Sequence, residues 1–285
     1  MGQPFFSPSK TVHPGISYLC RMDHFQLDLG PGGWLLFVVA GIFTGIINTL
    51  AGSGSLITLP IFIFFCGLPP TVANGTNRIG VLIQSIVGSW SFYRQGKLPI
   101  QNLWPLLLSS AIGAYVGSRI AADLDETLMN YTIGGLMVFM LAVLLVSPKR
   151  WLRESGQGGE NNRHPLTLGI FFLIGVYGGF IQAGVGIFLL AALVLMARYS
   201  LVEANAIKLL AVLFFNLPAL WVFWQNGQVH LGYGLLMAVF QSIGAWIGVR
   251  FAAKVPRANV WIHRLLILIV IVSASKMLGL WAYFS

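Results

Sequence analysis

Acidic side chains are scarce in this chain. Its 285 residues hold eight Asp and Glu, and charged residues of both signs make up 9%, against about 25% in an ordinary soluble domain. So few charges cannot cover a water-facing surface, which excludes an ordinary soluble fold. Cysteine is nearly absent too. Cys20 and Cys66 offer neither a disulfide framework nor metal-ligand spacing, and Cys66, inside an apolar stretch, reads as a small buried hydrophobe. Apart from Glu203, no carboxylate falls within the hydrophobic segments or their short internal breaks. That argues against a buried Asp/Glu proton relay. No catalytic triad, carboxylate pair or metal cluster can be assembled, so the chain is not read as an enzyme, and no cofactor or metal is expected.

What the chain does have is hydrocarbon. Hydrophobic residues make up 56%, and apolar runs of about 17 to 25 residues recur, the length a bilayer requires. The runs are continuous and lack the period of two that a membrane β-barrel would show. The expected fold is therefore an all-α polytopic membrane protein. The formal charge of +9 is dispersed among short loops, as membrane topology demands, so nucleic acid is not an expected partner.

The chain repeats itself. A shift of 131 residues lays Ala73-Asn74 on Ala204-Asn205, Trp90 on Trp221, Phe92 on Phe223 and Gly96 on Gly227. The same shift lays GAYVGSRIAA (Gly113 to Ala122) on GAWIGVRFAA (Gly244 to Ala253). Upstream, at a shift of 134, Gly41 and Gly45 fall on Gly175 and Gly179. Agreement at one register over most of a half indicates a duplication. Each half holds five hydrophobic segments, near 34–50, 55–66, 79–93, 101–120 and 128–147, then near 167–183, 187–197, 207–224, 231–251 and 260–283. Four parts follow: an N-terminal extramembrane segment over 1–33, a first repeat over 34–147, a polar linker over 148–166 and a second repeat over 167–285.

Loop charges indicate how the halves are oriented. RQGK (Arg94 to Lys97) is basic, whereas its repeat partner QNGQ (Gln225 to Gln228) is uncharged. The loop after Ala122 is acidic, whereas its partner carries Lys254 and Arg257. Opposite bias in equivalent loops is expected of inverted copies. A cytoplasmic linker puts twelve of the 17 Lys and Arg inside and five outside, as the positive-inside rule asks. Both termini are then expected outside the cytoplasm, in a multi-pass protein of the cell membrane.

Two segments are broken. NTLAGSGSLITLP (Asn48 to Pro60) interrupts the first half with glycine, serine and proline; YGGFIQAGVGIF (Tyr177 to Phe188) does so at the matching place in the second. The apolar piece after each break is too short to cross alone, so each pair either crosses twice or re-enters from its own side. Paired interrupted segments of this kind point to a transporter's binding site between inverted repeats. No Gly-Lys-Ser/Thr follows, so neither is a Walker loop. Gly41/Gly45, Gly113/Gly117 and their counterparts read instead as small-xxx-small packing faces, which serve packing within or between molecules equally.

A second polar feature opens the third segment of each half: GLPPTVANGTNRIG (Gly67 to Gly80) and SLVEANAIKLLA (Ser200 to Ala211). Asn77 aligns with Lys208, and Arg78 is one position further on. Each half thus brings a cation to a helix N-terminus, where free amides favour an anion. The bland alternatives are a snorkelling Arg78 and a Lys208 paired with Glu203. Deeper in the same helices Asn216 aligns with Ser85, a polar position recurring at membrane depth.

Taken with the helix that runs on to YRQGKL (Tyr93 to Leu98), these stretches resemble the TauE/SafE family of sulfite exporters, from Gly41 to Pro256. The second copy departs from the first, with Ala206-Ile207-Lys208 in place of Gly-Thr-Asn. The resemblance implies a cytoplasmic-membrane transporter of small sulfur-containing anions such as sulfite, sulfoacetate or other organosulfonates. The expected mechanism is alternating access, with an anion held near the midplane. Candidate substrate-binding residues are Asn48, Ser53, Ser55, Thr76, Asn77, Arg78, Gln182, Lys208 and Asn216. Glu203 is a candidate coupling residue should the protein instead be a proton-coupled importer of an organosulfonate or carboxylate. An anion channel is the other rival. The expected partners are the lipid bilayer and a small anion.

Overall fold

Glycines with positive φ, at Gly52, Gly67, Gly96, Gly184 and Gly227, mark the breaks between helices, whereas Pro60 and Pro218 lie inside helices. A computed structural model of the chain describes residues 31–145, 161–252, 267–268 and 270–276. Most of the 1–33 segment with Cys20, most of the linker, Lys254, Arg257, His263 and most of the tenth hydrophobic segment lie outside the described residues. The rest is helical: α1 Pro31–Ala51, α2 Ser55–Phe64, α3 Pro70–Arg94, α4 Trp104–Ala122 and α5 Glu126–Leu145 in the first half. The second half has α6 Pro165–Phe180, α7 Val185–Leu195, α8 Leu201–Gln225 and α9 Leu231–Ala252. Four of these helices are long and apolar enough to cross a membrane, at Gly32–Ala51, Glu126–Leu145, Leu201–Gln225 and Leu231–Arg250, and shorter apolar helices accompany them. α3 has the length but not the composition, because its first turns carry the polar stretch. Those side chains are turned inward: Thr71, Asn74, Thr76, Asn77, Arg78, Gln84 and Ser85 are all buried.

The order of contacts sets the direction of each helix. Ser110 meets Gly175 and Ala114 meets Gly179, so α4 and α6 run parallel. Gly41 meets Phe240 and Gly45 meets Ala245, so α1 and α9 do too. α3 also runs along α9, with Thr76 accepting the His230 amide and Gly80 against Gln241. By contrast α3 opposes α6, since Asn74 reaches Phe180 while Arg78 reaches Gly178. It opposes α8 as well, with Gly75 against Phe223 and Gly88 against Leu209. Hence α1, α3 and α9 point one way, and α6, α8 and α4 the other. Each of these helices runs opposite to its counterpart in the duplication, the geometry inverted copies require.

Glycine permits the closest approaches. A Cβ on Gly117 would lie 1.9 Å from the Val176 carbonyl oxygen, and one on Gly244 would lie 2.0 Å from that of Ile42. These are the small-residue faces expected from the sequence, and they pack within the chain, one half on the other.

The short pieces turn back. Ser55, at the start of α2, accepts from Asn77, two turns into α3, and a five-residue connection then leads to the start of α3. α2 therefore runs against α3, and α1–α2 form a hairpin turning at 52–54. In the second half Gly178 lies against both Val185 and Phe215, and α6–α7 form the matching hairpin, turning at 181–184.

Candidate functional site

The two hairpin turns touch. Gly186, in the first turn of α7, donates its backbone N–H to the Gly52 carbonyl at 3.1 Å. Gly52 has φ +71, a conformation suited to a residue with no Cβ.

A helix that stops inside hydrocarbon leaves its last four carbonyls without partners. At α6 every one is accounted for. Tyr177 O accepts from Ile181 N at 2.8 Å, and Phe180 O accepts from Asn74 Nδ2 at 2.8 Å. Gly178 O accepts from Arg78 Nη1 at 3.2 Å, and Gly179 O accepts from Arg78 Nη2. At α1 the mirror arrangement uses Lys208, whose Nζ donates to Asn48 O at 3.1 Å and Thr49 O at 2.9 Å. Its third donor goes to Asn205 Oδ1 at 2.9 Å. Each half thus sends its buried cation to the broken helix of the other half, where the negative end of the helix dipole favours it. This differs from the sequence expectation, in which the cations sat beside free amides of their own helix N-termini. Arg78 and Lys208 lie about two turns into α3 and α8 and face carbonyl ends instead. Lys208 is not paired with Glu203. That carboxylate closes a capping box with Ser200, accepting the Ser200 hydroxyl at 2.8 Å and its amide at 3.0 Å.

The other candidates fall into two groups. Ser55 and Asn77 close on one another, joined by Thr58, which was not a candidate: Asn77 Nδ2 donates to Ser55 Oγ, and Thr58 Oγ1 donates to Asn77 Oδ1. Asn48 Nδ2 donates to Gln84 Oε1 at 3.2 Å, and Thr76 Oγ1 accepts from the His230 amide. The second group keeps polar atoms without a partner. Ser53 Oγ, both polar atoms of the Gln182 side chain, Arg78 Nε and Asn216 Nδ2 are buried and unpaired. Arg78 and Asn216 are joined, Nη1 donating to Oδ1 at 3.4 Å, and Arg78 lies over the Phe223 ring at 4.7 Å.

Asn74, Asn205 and Gln84 were not singled out as site residues by their chemistry. A signal existed for the first two: Asn74 and Asn205 coincide in the duplication, and each works beside its half's cation. Among the described residues Arg78 and Lys208 are fully buried and no carboxylate is. Burying a cation costs several kcal/mol unless neighbours compensate, and here only dipoles and an aromatic face do. The interior is electropositive and holds spare hydrogen-bond donors.

Residues 37–277 match the family model described as sulfite exporter TauE/SafE. The chain belongs to this family. Its relatives include a protein named probable membrane transporter protein ORF9 from Sinorhizobium sp, 28% identical over 85% of this chain and 90% of the relative. Another, the probable membrane transporter protein YfcA of Escherichia coli K12, is 24% identical over 86% of this chain and 88% of its own length. A third, from Haemophilus influenzae and also named probable membrane transporter protein, is 24% identical over 79% and 87%. No solved structure matches the chain. Length, family and relatives agree on a multi-pass membrane transporter, and the broken-helix seam is where this TauE/SafE member concentrates its buried polarity.

Proposed function

We propose that this protein exports sulfite or a related small sulfur-containing anion across the cytoplasmic membrane by alternating access. The observation that carries the reading is the pair of fully buried cations, Arg78 and Lys208, at the seam between two broken helices with no buried carboxylate among the described residues. An anion is the solute that such an interior stabilises. Ser53, Gln182, Asn216 and the Nε of Arg78 supply the open hydrogen-bonding atoms. Asn48, Ser55, Asn77 and Lys208 hold the broken segments beside them, Thr76 holds the start of α9, and these contacts exchange partners as the halves rock. The central linker faces the cytoplasm and both termini face outward, following the distribution of Lys and Arg.

An inside-negative potential favours outward movement of an anion by about 2.3 kcal/mol per charge per 100 mV, so export requires no proton relay. The engagement of Glu203 at the N-cap of α8 favours this over a carboxylate-coupled importer. Proteoliposomes loaded with labelled sulfite test the proposal. Efflux should saturate, respond to an imposed potential, and fall in the Arg78→Ala and Ser53→Ala variants. Absence of protein-dependent sulfite flux under any gradient overturns it.

A further inference from the structure

Gln182 is the anomaly at this seam. It sits in the non-helical turn between α6 and α7, only 2% exposed, and neither its amide nitrogen nor its carbonyl oxygen has a partner. The backbone around it is otherwise satisfied. The four terminal carbonyls of α6 are all accepted for, the Tyr177 hydroxyl donates to Ala183 O at 2.6 Å, and the Gly186 amide is taken by Gly52. Leaving both ends of a buried carboxamide unpaired is costly, and a ligand that both accepts and donates removes the whole cost.

The remaining open atoms refine what that ligand is. Around the end of α6 and the facing turn, Arg78 Nε and Asn216 Nδ2 only donate, Ser53 Oγ donates or accepts, and Gln182 Oε1 and Asn74 Oδ1 only accept. A fully ionised oxyanion presents lone pairs on every edge and would face Gln182 Oε1 with like polarity. An oxyanion that retains one O–H fits both atoms of the amide: its oxygen accepts from Nε2 and its hydroxyl donates to Oε1. We infer that Gln182 is a specificity-determining residue, and that the transported species is a small monoanion keeping one O–H, such as hydrogensulfite. The sulfite dianion, sulfate and alkanesulfonates lack that hydrogen. The inference rests on the proposed sulfite export and narrows it.

The titrating partner in this scheme is the ligand. On the elements meeting at the turn the buried charged side chains are Arg78 from α3 and Lys208 from α8, with Tyr177 on α6; Glu203 of α8 is engaged by Ser200 and Glu126 of α5 by Thr71. Arg78 and Lys208 are held by carbonyls, and Tyr177 by Ala183 O.

The experiment is labelled sulfite counterflow in proteoliposomes of the full chain. It is run at pH values on both sides of the second ionisation of sulfurous acid, with methanesulfonate and sulfate as competitors. The expected result is a half-saturating concentration of total sulfite that rises about tenfold for each pH unit above that ionisation. Methanesulfonate and sulfate, though of similar size, should compete at least about tenfold more weakly. In Gln182→Leu the advantage over methanesulfonate should collapse. A half-saturating concentration indifferent to pH, or methanesulfonate competing equally in the wild type, overturns the inference while leaving sulfite export standing. No sulfite flux at any pH overturns both. The wild-type competitor series decides the matter even where Gln182→Leu does not fold.

Discussion

Gly186→Ala probes the contact on which the architecture turns. A Cβ at that position would lie 2.3 Å from Gly52 Cα and 2.6 Å from the Gly52 carbonyl oxygen. Both are backbone atoms, so no side chain can rotate away. Ordinary van der Waals contact begins near 3.4 Å, so the hairpin tips must part by about 1.1 Å. The 3.1 Å hydrogen bond from Gly186 N to Gly52 O then stretches past useful length. Losing a buried hydrogen bond costs about 1–3 kcal/mol and forced repacking about as much again. Better helix propensity of alanine returns up to about 1 kcal/mol. The net expectation is a loss of about 1–6 kcal/mol, read as a lowered unfolding midpoint in detergent, with impaired flux in proteoliposomes. Gly135→Ala and Gly169→Ala, where a Cβ would meet nothing within 4 Å, serve as controls and should be neutral or slightly stabilising. Gly186→Ala with wild-type stability and wild-type flux would refute the contact between the hairpins.

Four further outcomes are expected. Lys208→Met leaves Thr49 O and Asn205 Oδ1 without their donor and Asn48 O with only the Gly52 amide, and should destabilise by about 2 kcal/mol or more, measured as thermal unfolding in nanodiscs. Ser200→Ala removes half of the capping box of α8 and should cost about 1 kcal/mol in the same assay. Glu203→Gln should leave the pH-gradient dependence of transport unchanged, which flux under imposed gradients measures. Glu126→Gln weakens the carboxylate that accepts both the amide and hydroxyl of Thr71 at the start of α3. It should lower stability by roughly 0.5–2 kcal/mol without altering substrate preference.

Much of the architecture was legible because bilayers restrict the choices. Continuous apolar runs can only be helices there, and Gly52, Gly54 and the glycines of 178–186 mark where helices end. The repeat register pairs α1 with α6, α3 with α8 and α4 with α9, and in the structure the members of each pair run in opposite directions. The small-residue pairs likewise announced close helix contacts, though not which helices would meet. Less legible was the business of Arg78 and Lys208. Their positions in sequence say that each lies early in a polar helix, and the nearest unpaired groups along the chain are that helix's own amides. The groups they engage lie 100 and 160 residues away for Arg78–Gly178 and Lys208–Asn48, in the opposite half. Similarly, Ser53, Ser55 and Asn77 looked alike as small polar residues near a break. Only packing separates Ser55 and Asn77, which satisfy each other, from Ser53, which is left open.

Composition and periodicity therefore determined, unaided, that this chain spans a membrane as helices and that its apolar runs are interrupted near 52–54 and 181–184. Those properties follow from solvation of the chain against hydrocarbon and from local backbone preference, both of which are written residue by residue. Which carbonyl a cation satisfies, and which donors stay free for a solute, was settled only when the two halves interlocked. Hydrogen bonding in a dry interior is decided by whichever group arrives within about 3 Å, and that depends on the whole fold at once.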